Sequence, residues 1–243
     1  QLSCSVNHML DRLALSFDLQ RQFAGNAAHE LRTPLAMMQT KLELFTEEHS
    51  DVDAETSKLV QFQIDQVDRL TSLVRTLLEM SNLQSVSRSD EIELAPLIDE
   101  ILTDLTTLAE QKNITLHQNC EDVHMIGSDT LIYRLLFNLI ENAIKYNHSG
   151  GSVTVSMQQE NQQVLLHIAD TGCGIPEEYR ESIFQPFFRV DKSRSRQMGG
   201  VGLGLALVRE IAVLHGGSVC VESGSKDGTT FAVKLPLNGE KTE

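Results

Sequence analysis

A histidine, a glutamate, a threonine and a proline share one short stretch, NAAHELRTPLAMM, from Asn26 to Met38. A solvent-facing imidazole is substantially neutral near pH 7. The neutral ring is a competent nucleophile toward phosphorus. Glu30, the next residue, is a carboxylate able to take the ring proton as attack proceeds. Thr33 follows His29 by four positions, so on a helix its hydroxyl lies one turn away on the same face, where it can position a water. With Leu31 placed on an apolar seam, about 100° per residue puts His29 about 160° away, facing outward. Pro34 lacks a backbone donor and is expected to bend the helix there. Phosphoryl transfer to nitrogen is the chemistry this set of groups suits.

A second group of residues suits a nucleotide. NLIENAIKY covers Asn138 to Tyr146. Asn138, Asn142 and Lys145 fall at i, i+4 and i+7, one stripe of a helix. Two amide oxygens are hard donors fit for Mg²⁺, Lys145 adds positive charge for phosphate, and Tyr146 can lie against a purine. DTGCGIP (Asp170 to Pro176) follows a strand-like run. A carboxylate at a strand end can accept from an exocyclic amine, and Gly172 and Gly174 let backbone approach a flat ligand. GGVGLGLALV (Gly199 to Val208) is a glycine-rich turn opening an apolar helix, and helix N-terminal amides favour anions. Between these lie Arg189, Lys192, Arg194 and Arg196 beside Phe184, Phe187 and Phe188, the charge and apolar footing a lid over a triphosphate requires.

The elements that must carry these groups are of two kinds. Residues 7–46 read as one helix, with apolar or small residues every seven positions at Phe17, Ala24, Leu31, Met38 and Phe45 and a second row at Ala28, Leu35 and Leu42. A polar break over 47–57 precedes a second helix with Leu59, Val60, Val67, Leu70, Val74 and Leu77. Two helices cannot bury both stripes by themselves, so a homodimeric four-helix bundle is expected. After a linker the pattern becomes short strand-like runs with helices at 95–112, 130–146 and 202–215, as expected of a two-layer α+β sandwich. The chain of 243 residues carries 34 acids against 20 Lys and Arg, a net charge of −14, which argues against non-specific nucleic-acid binding. Its four cysteines, Cys4, Cys120, Cys173 and Cys220, form no C-x-x-C pair or zinc spacing, which suits a reducing compartment. No apolar run is long enough to span a membrane, and no signal peptide is visible.

HELRTP (His29 to Pro34) resembles the phospho-acceptor site of sensor histidine kinases, and keeps all six positions of that pattern. The later segments resemble, in order, the N, G1, F and G2 boxes of the same family's catalytic domain, which has the Bergerat (GHKL) fold. GTTF (Gly228 to Phe231) resembles a further glycine box. The resemblance implies that His29 accepts phosphate, Glu30 assists as base and Thr33 aids a reverse, phosphatase reaction. It implies that Asn138 and Asn142 hold Mg²⁺, Lys145 meets phosphate, Asp170 reads the adenine amine and Tyr146 borders the base. Gly172, Gly174, Arg189, Gly200, Gly202, Leu203, Gly204 and Thr229 are the remaining positions implied to line ATP. Val201 stands where the family often has threonine, so a hydroxyl contact is lost. The implied partners are a second copy of the chain and a response-regulator receiver domain.

Domain bounds expected on this reading are 1–20 for the end of a HAMP-like signalling helix, 21–81 for dimerisation and phosphotransfer, 82–90 for a linker, 91–238 for ATP binding and 239–243 for a tail. The opening helix implies a membrane sensor upstream and a cytoplasmic placement for this portion of a bacterial receptor. Two rival readings are an ATP-hydrolysing clamp and an inactive nucleotide-binding scaffold. Gyrase-, chaperone- and mismatch-repair-type relatives carry a water-activating glutamate four residues before the key asparagine. In this chain that position is Asn138, which favours the kinase.

Overall fold

Heptad-spaced apolar side chains are a helical signal, and the described residues of the first unit are mostly helical. The structure, a computed structural model, describes residues 25, 27–28, 30–49, 52–190, 202–225 and 228–238. It divides into two compact units, Gln1–Gln84 and Ser85–Glu243. In the first unit, residues 30–48 form helix α1, continuous through Pro34, and Ala54–Asn82 form α2. Asp53 caps α2. Its Oδ1 accepts from the N–H groups of Glu55 and Thr56 and its Oδ2 from the Thr56 hydroxyl, so donors left open at a helix start are satisfied. Those bonds hold the Asp53 carboxyl below its ordinary range.

One seam joins the two helices: Ala28, Leu35, Val67, Val74 and Leu78, flanked by Leu42 and Leu77. On α1 this is the row through Ala28. The row through Leu31 and Met38 faces outward, as do Leu59, Phe62 and Leu70 of α2. Two helices meet along a single line, so only one row of each is buried between them. The inward face of α1 is therefore marked by Ala28 and Leu35 rather than by Leu31. The opening residues expected to form a HAMP-like helix lie outside the described residues, as does the 239–243 tail.

The second unit has two layers. A five-stranded sheet runs in the order β2-β4-β5-β7-β6, formed by Thr115–Cys120 (β2), Ser152–Glu160 (β4), Gln163–Asp170 (β5), Ser218–Ser225 (β6) and Gly228–Pro236 (β7). β2 and β4 are parallel and the other neighbours antiparallel. Alternate residues Val153, Val155 and Met157 of β4, Val164, Leu166 and Ile168 of β5, and Phe231, Val233 and Leu235 of β7 are buried, which is the period-2 signature of a sheet covered on one face. Among the described residues the cover is three helices: α3 (Leu94–Gln111), α4 (Asp129–Lys145) and α5 (Gly204–Leu214). Each turns a buried stripe inward, such as Leu131, Ile132, Leu135, Leu136, Leu139 and Ile140 of α4.

A second, two-stranded sheet was not legible. Asp90–Glu93 (β1) pairs antiparallel with His124–Gly127 (β3), Ile92 opposite Met125. The stretch expected to be linker therefore contains an ordered end: α2 runs to Asn82, a 3₁₀ turn covers Leu83–Ser85 with Leu83 buried, and Asp90 opens β1. A four-residue strand with one apolar side chain gives almost no periodicity. What holds it is burial of Ile92, 2% exposed, beside Met125.

Candidate functional site

Helix α4 carries its polar residues on the face away from the core, where Asn138, Glu141, Asn142 and Lys145 are half-buried. The Asn138 amide nitrogen donates to the Arg134 carbonyl at 2.7 Å, which turns the amide oxygen outward. That oxygen abuts the N-terminus of α5: a Cβ on Gly204 would lie 2.7 Å from it. A side chain at this position would displace the amide, and glycine lets the amide oxygen lie close beside the start of α5. Lys145 pairs with Glu141, Nζ to Oε1 2.9 Å. Glu-to-Lys at i, i+4 is a favoured helical pair, and it orients Lys145. The Lys112 ammonium donates to the carbonyls of Ile144 and Lys145 at the end of α4. Burial, then the charge of Lys145, lowers its pKa.

Asp170 ends β5, the central strand of the large sheet, opposite Val153 on one side and Thr229 on the other. Its Oδ1 accepts from the Gly172 N–H at 2.7 Å and the Thr229 N–H at 3.3 Å. Burial pushes the Asp170 carboxyl above its ordinary pKa, against the pull of those two bonds and of nearby His148. Gly172 is buried against the Tyr146 carbonyl and leaves no room for a Cβ. The same carbonyl accepts from Cys173 N–H at 3.2 Å. Tyr146 is half-buried, and burial raises its phenol pKa. Gly174 adopts φ +68° in the turn that follows.

Gly202 accepts at its carbonyl from the Phe187 N–H at 2.8 Å. Phe187 itself has φ +65°, a left-handed backbone uncommon for a bulky residue, and its ring is exposed. Thr229 is buried beside Asp170 and Arg189 is half-buried. Immediately before Gly204, the first residue of α5, stands Leu203. Its side chain is 2% exposed, because the position begins the apolar face of α5, so only its backbone can meet a phosphate. Glu30 and Thr33 are exposed on α1. His29, Gly200, Val201, Lys192, Arg194 and Arg196 lie outside the described residues.

Two family descriptions match the chain: His Kinase A (phospho-acceptor) domain over residues 19–86 and Histidine kinase-, DNA gyrase B-, and HSP90-like ATPase over residues 127–239. The chain belongs to the two-component sensor histidine kinases. It is 36% identical over 91% of its length to the sensor histidine kinase RppB of Synechocystis. It is 35% identical over 96% of its length to the signal transduction histidine-protein kinase ArlS of Staphylococcus aureus. It spans about half the length of each, 50% and 52%. Among solved structures, histidine kinase ThkA in complex with response regulator protein TrrA matches 95% of this chain and 64% of that one, with 26% identity and a TM-score of 0.65. The isolated ThkA catalytic domain matches 63% of this chain and 100% of its own, with 28% identity and a TM-score of 0.56.

Within this histidine-kinase frame, Asn138 abuts Gly204, and Asp170 bonds Thr229 while the Tyr146 carbonyl meets Gly172 and Cys173. Three contributors were missed from sequence. Lys112 caps α4 from another helix, and only the fold brings it there. Asn147 and Thr171 bond to one another (3.2 Å). Their one visible signal was that each directly follows a residue singled out for chemistry, Tyr146 and Asp170.

Proposed function

We propose that this chain is the kinase core of a two-component signalling protein: it uses ATP to phosphorylate His29 and passes the phosphoryl group to an aspartate of a response-regulator receiver domain. The observation that carries the reading is the junction of Asn138 with the α5 N-terminus, because a triphosphate site needs an oxygen donor and backbone N–H groups at one place. Asp170 supplies the acceptor for an adenine amine, and Tyr146 borders the ring. Asn138 and Asn142 fit the divalent ion that accompanies ATP. The Asn138 nitrogen is committed to Arg134, so its oxygen is the atom presented. Bound Mg²⁺ would neutralise phosphate charge. Lys145 adds positive charge, and the backbone at Gly202, Leu203 and Gly204, with Gly200 and Arg189, completes the phosphate site. Gly172, Gly174 and Thr229 shape the base end.

In the transfer, a His29 ring nitrogen forms a bond to the γ-phosphorus. The bond from phosphorus to the bridging oxygen breaks and ADP leaves. Glu30 takes the imidazole proton. Asn138 replaces the carboxylate an ATP hydrolase would use, so water is not activated and the γ-phosphoryl group waits for His29. Thr33 orients water for the reverse reaction, hydrolysis of the phospho-regulator. The outward row of Leu31, Met38, Leu59, Phe62 and Leu70 supports a homodimer, in which a partner's helices cover it. ThkA, a relative by structure, is solved with response regulator protein TrrA, and a receiver domain is the partner proposed for this chain. The reading favours a cytoplasmic location for this part of a bacterial membrane receptor, with the membrane reached through a sensor region outside this sequence.

The test uses γ-labelled ATP. Label stable to alkali and labile to acid marks a phosphoramidate, and His29→Gln should take up none. Steady phosphate release without a labelled protein would instead favour the hydrolase. Nucleotide binding with neither outcome would favour an inactive scaffold.

A further inference from the structure

We propose that Asn147 and Thr171 are a positioning pair that sets the Asp170 carboxyl in register with the end of α4, an inference that rests on the nucleotide-site reading above. Asn147 is the first residue past Tyr146, the C-cap of α4. Its Oδ1 accepts from the Thr171 hydroxyl at 3.2 Å and from the His148 N–H at 3.0 Å. Its Nδ2 donates to the Ser152 carbonyl at 2.9 Å. Thr171 completes the circuit. Its Oγ1 accepts from the Ser152 N–H at 2.9 Å, and its own N–H donates to the Ser152 carbonyl at 3.2 Å. One amide thus joins the exit of α4, the start of β4 and the turn after β5.

Both partners sit one residue from a group with a proposed ligand role. Tyr146 precedes Asn147, and Asp170 precedes Thr171. The two backbones also touch directly: the Tyr146 carbonyl accepts from Cys173 and packs on Gly172. Gly172 N–H in turn fixes Asp170 Oδ1. A shift of residue 171 therefore moves the carboxyl on one side and the N–H that aims it on the other. The Thr171 hydroxyl has one proton, for which the Asn147 oxygen at 3.2 Å is a nearer acceptor than the Ser152 carbonyl at 3.5 Å, and its oxygen receives the Ser152 N–H, so both of its capacities are in use. Valine at 171 keeps the shape and removes both bonds, leaving the Ser152 N–H without its partner. Serine keeps both. Hydrogen bonds in such a half-buried ring support one another, so losing one loosens the set.

The experiment measures Mg·ATP and Mg·GTP affinities of the full chain by calorimetry, with thermal unfolding recorded separately. Thr171→Val is expected to weaken ATP binding about tenfold, the scale of one lost hydrogen bond in a buried network. The ATP-over-GTP preference should narrow with it, because the carboxyl that reads the amine is displaced. Thr171→Ser should stay within about twofold of the parent. Asn147→Asp keeps the acceptor and removes the donor to Ser152, so it shifts the same two quantities if Thr171→Val does not fold. The two changes together should cost less than their product. Parent-like affinity and preference in both single variants, or failure of Thr171→Ser to preserve them, overturns the positioning role. A parent chain that binds no ATP overturns the nucleotide reading itself, and the pair's role with it.

Discussion

The amide oxygen of Asn138 occupies the space in which any side chain at position 204 would begin, 2.7 Å from where a Cβ on Gly204 would stand. Gly204→Ala must displace the amide or tilt α5, and either moves an oxygen donor away from the helix N-terminus. A loss of ATP affinity of about tenfold or more is expected, on the scale of one misplaced charge-assisted contact, with autophosphorylation falling alongside. Calorimetric titration with Mg·ATP checks it. Parent-like affinity would place the triphosphate elsewhere.

Asp170 supplies a stability prediction whose sign follows from burial. Its pKa is raised in the fold, so the folded chain holds this proton to higher pH than the unfolded chain. Stability from this group is full below the unfolded value of 3.8 and is lost as pH rises through the folded value. At neutral pH the buried carboxylate is a burden. Asp170→Asn keeps an oxygen for Gly172 and Thr229 while removing the charge. The variant is expected to melt higher than the parent at pH 7 without nucleotide, to lose that advantage near pH 3.8, and to bind ATP poorly. Thermal scans across pH test the first two expectations and titration the third.

His215 behaves in the opposite sense. Its ring is 4% exposed. Nδ1 lies 2.9 Å from the Ile211 carbonyl and donates there, while Nε2 accepts from Ser128 N–H at 3.1 Å. This bridges the end of α5 to the N-cap of α4. Burial lowers the pKa, with the charge of Arg88 acting the same way and the Ile211 bond opposing. The unfolded chain takes up this proton first, so stability is full above 6.5 and lost as pH falls from there through the lower folded value. His215→Leu should cost about 1–3 kcal/mol at pH 7.5, the penalty of an unpaired buried donor, and should flatten the acid slope. Urea unfolding at pH 7.5 and 5.5 measures both.

The two apolar rows of the helical unit separate in experiment. Leu35→Ala removes a seam residue and is expected to destabilise the hairpin by about 2–5 kcal/mol. Phe62→Glu changes an outward residue, 56% exposed. It should leave helicity intact while shifting the proposed homodimer toward monomer. Circular dichroism with light scattering resolves the two effects, and an unaltered dimer in Phe62→Glu would move the partner interface off this face.

How much of this was readable beforehand depended on the length scale of each signal. While α2 starts at Ala54, three residues or more inside the stretch expected to be a polar break, the three helices of the second unit announced themselves within one or two residues of their observed ends. β1 and β3 did not, because four residues around Ile92 or Met125 carry no period and are held by a pairing that only the folded chain supplies. At the site, Asn138, Asp170 and Gly204 were legible because their types are chemically unusual for their positions. Lys145 was legible as a cation, but its pairing with Glu141 was not. Asn147 and Lys112 were opaque, since a polar residue at a helix exit looks like any other until its distant partners are placed.

Asp170 hangs from β5, the middle strand of five, with a hydrogen-bonded neighbour on either side. The backbone proposed to lie beneath the purine is thus paired on both sides. Exchange of spent for fresh nucleotide then belongs to the rim, and backbone amides under the base should be among the slowest to trade protons for deuterons. Tuning of turnover over evolutionary time would accumulate around the mouth, leaving the foundation as it stands.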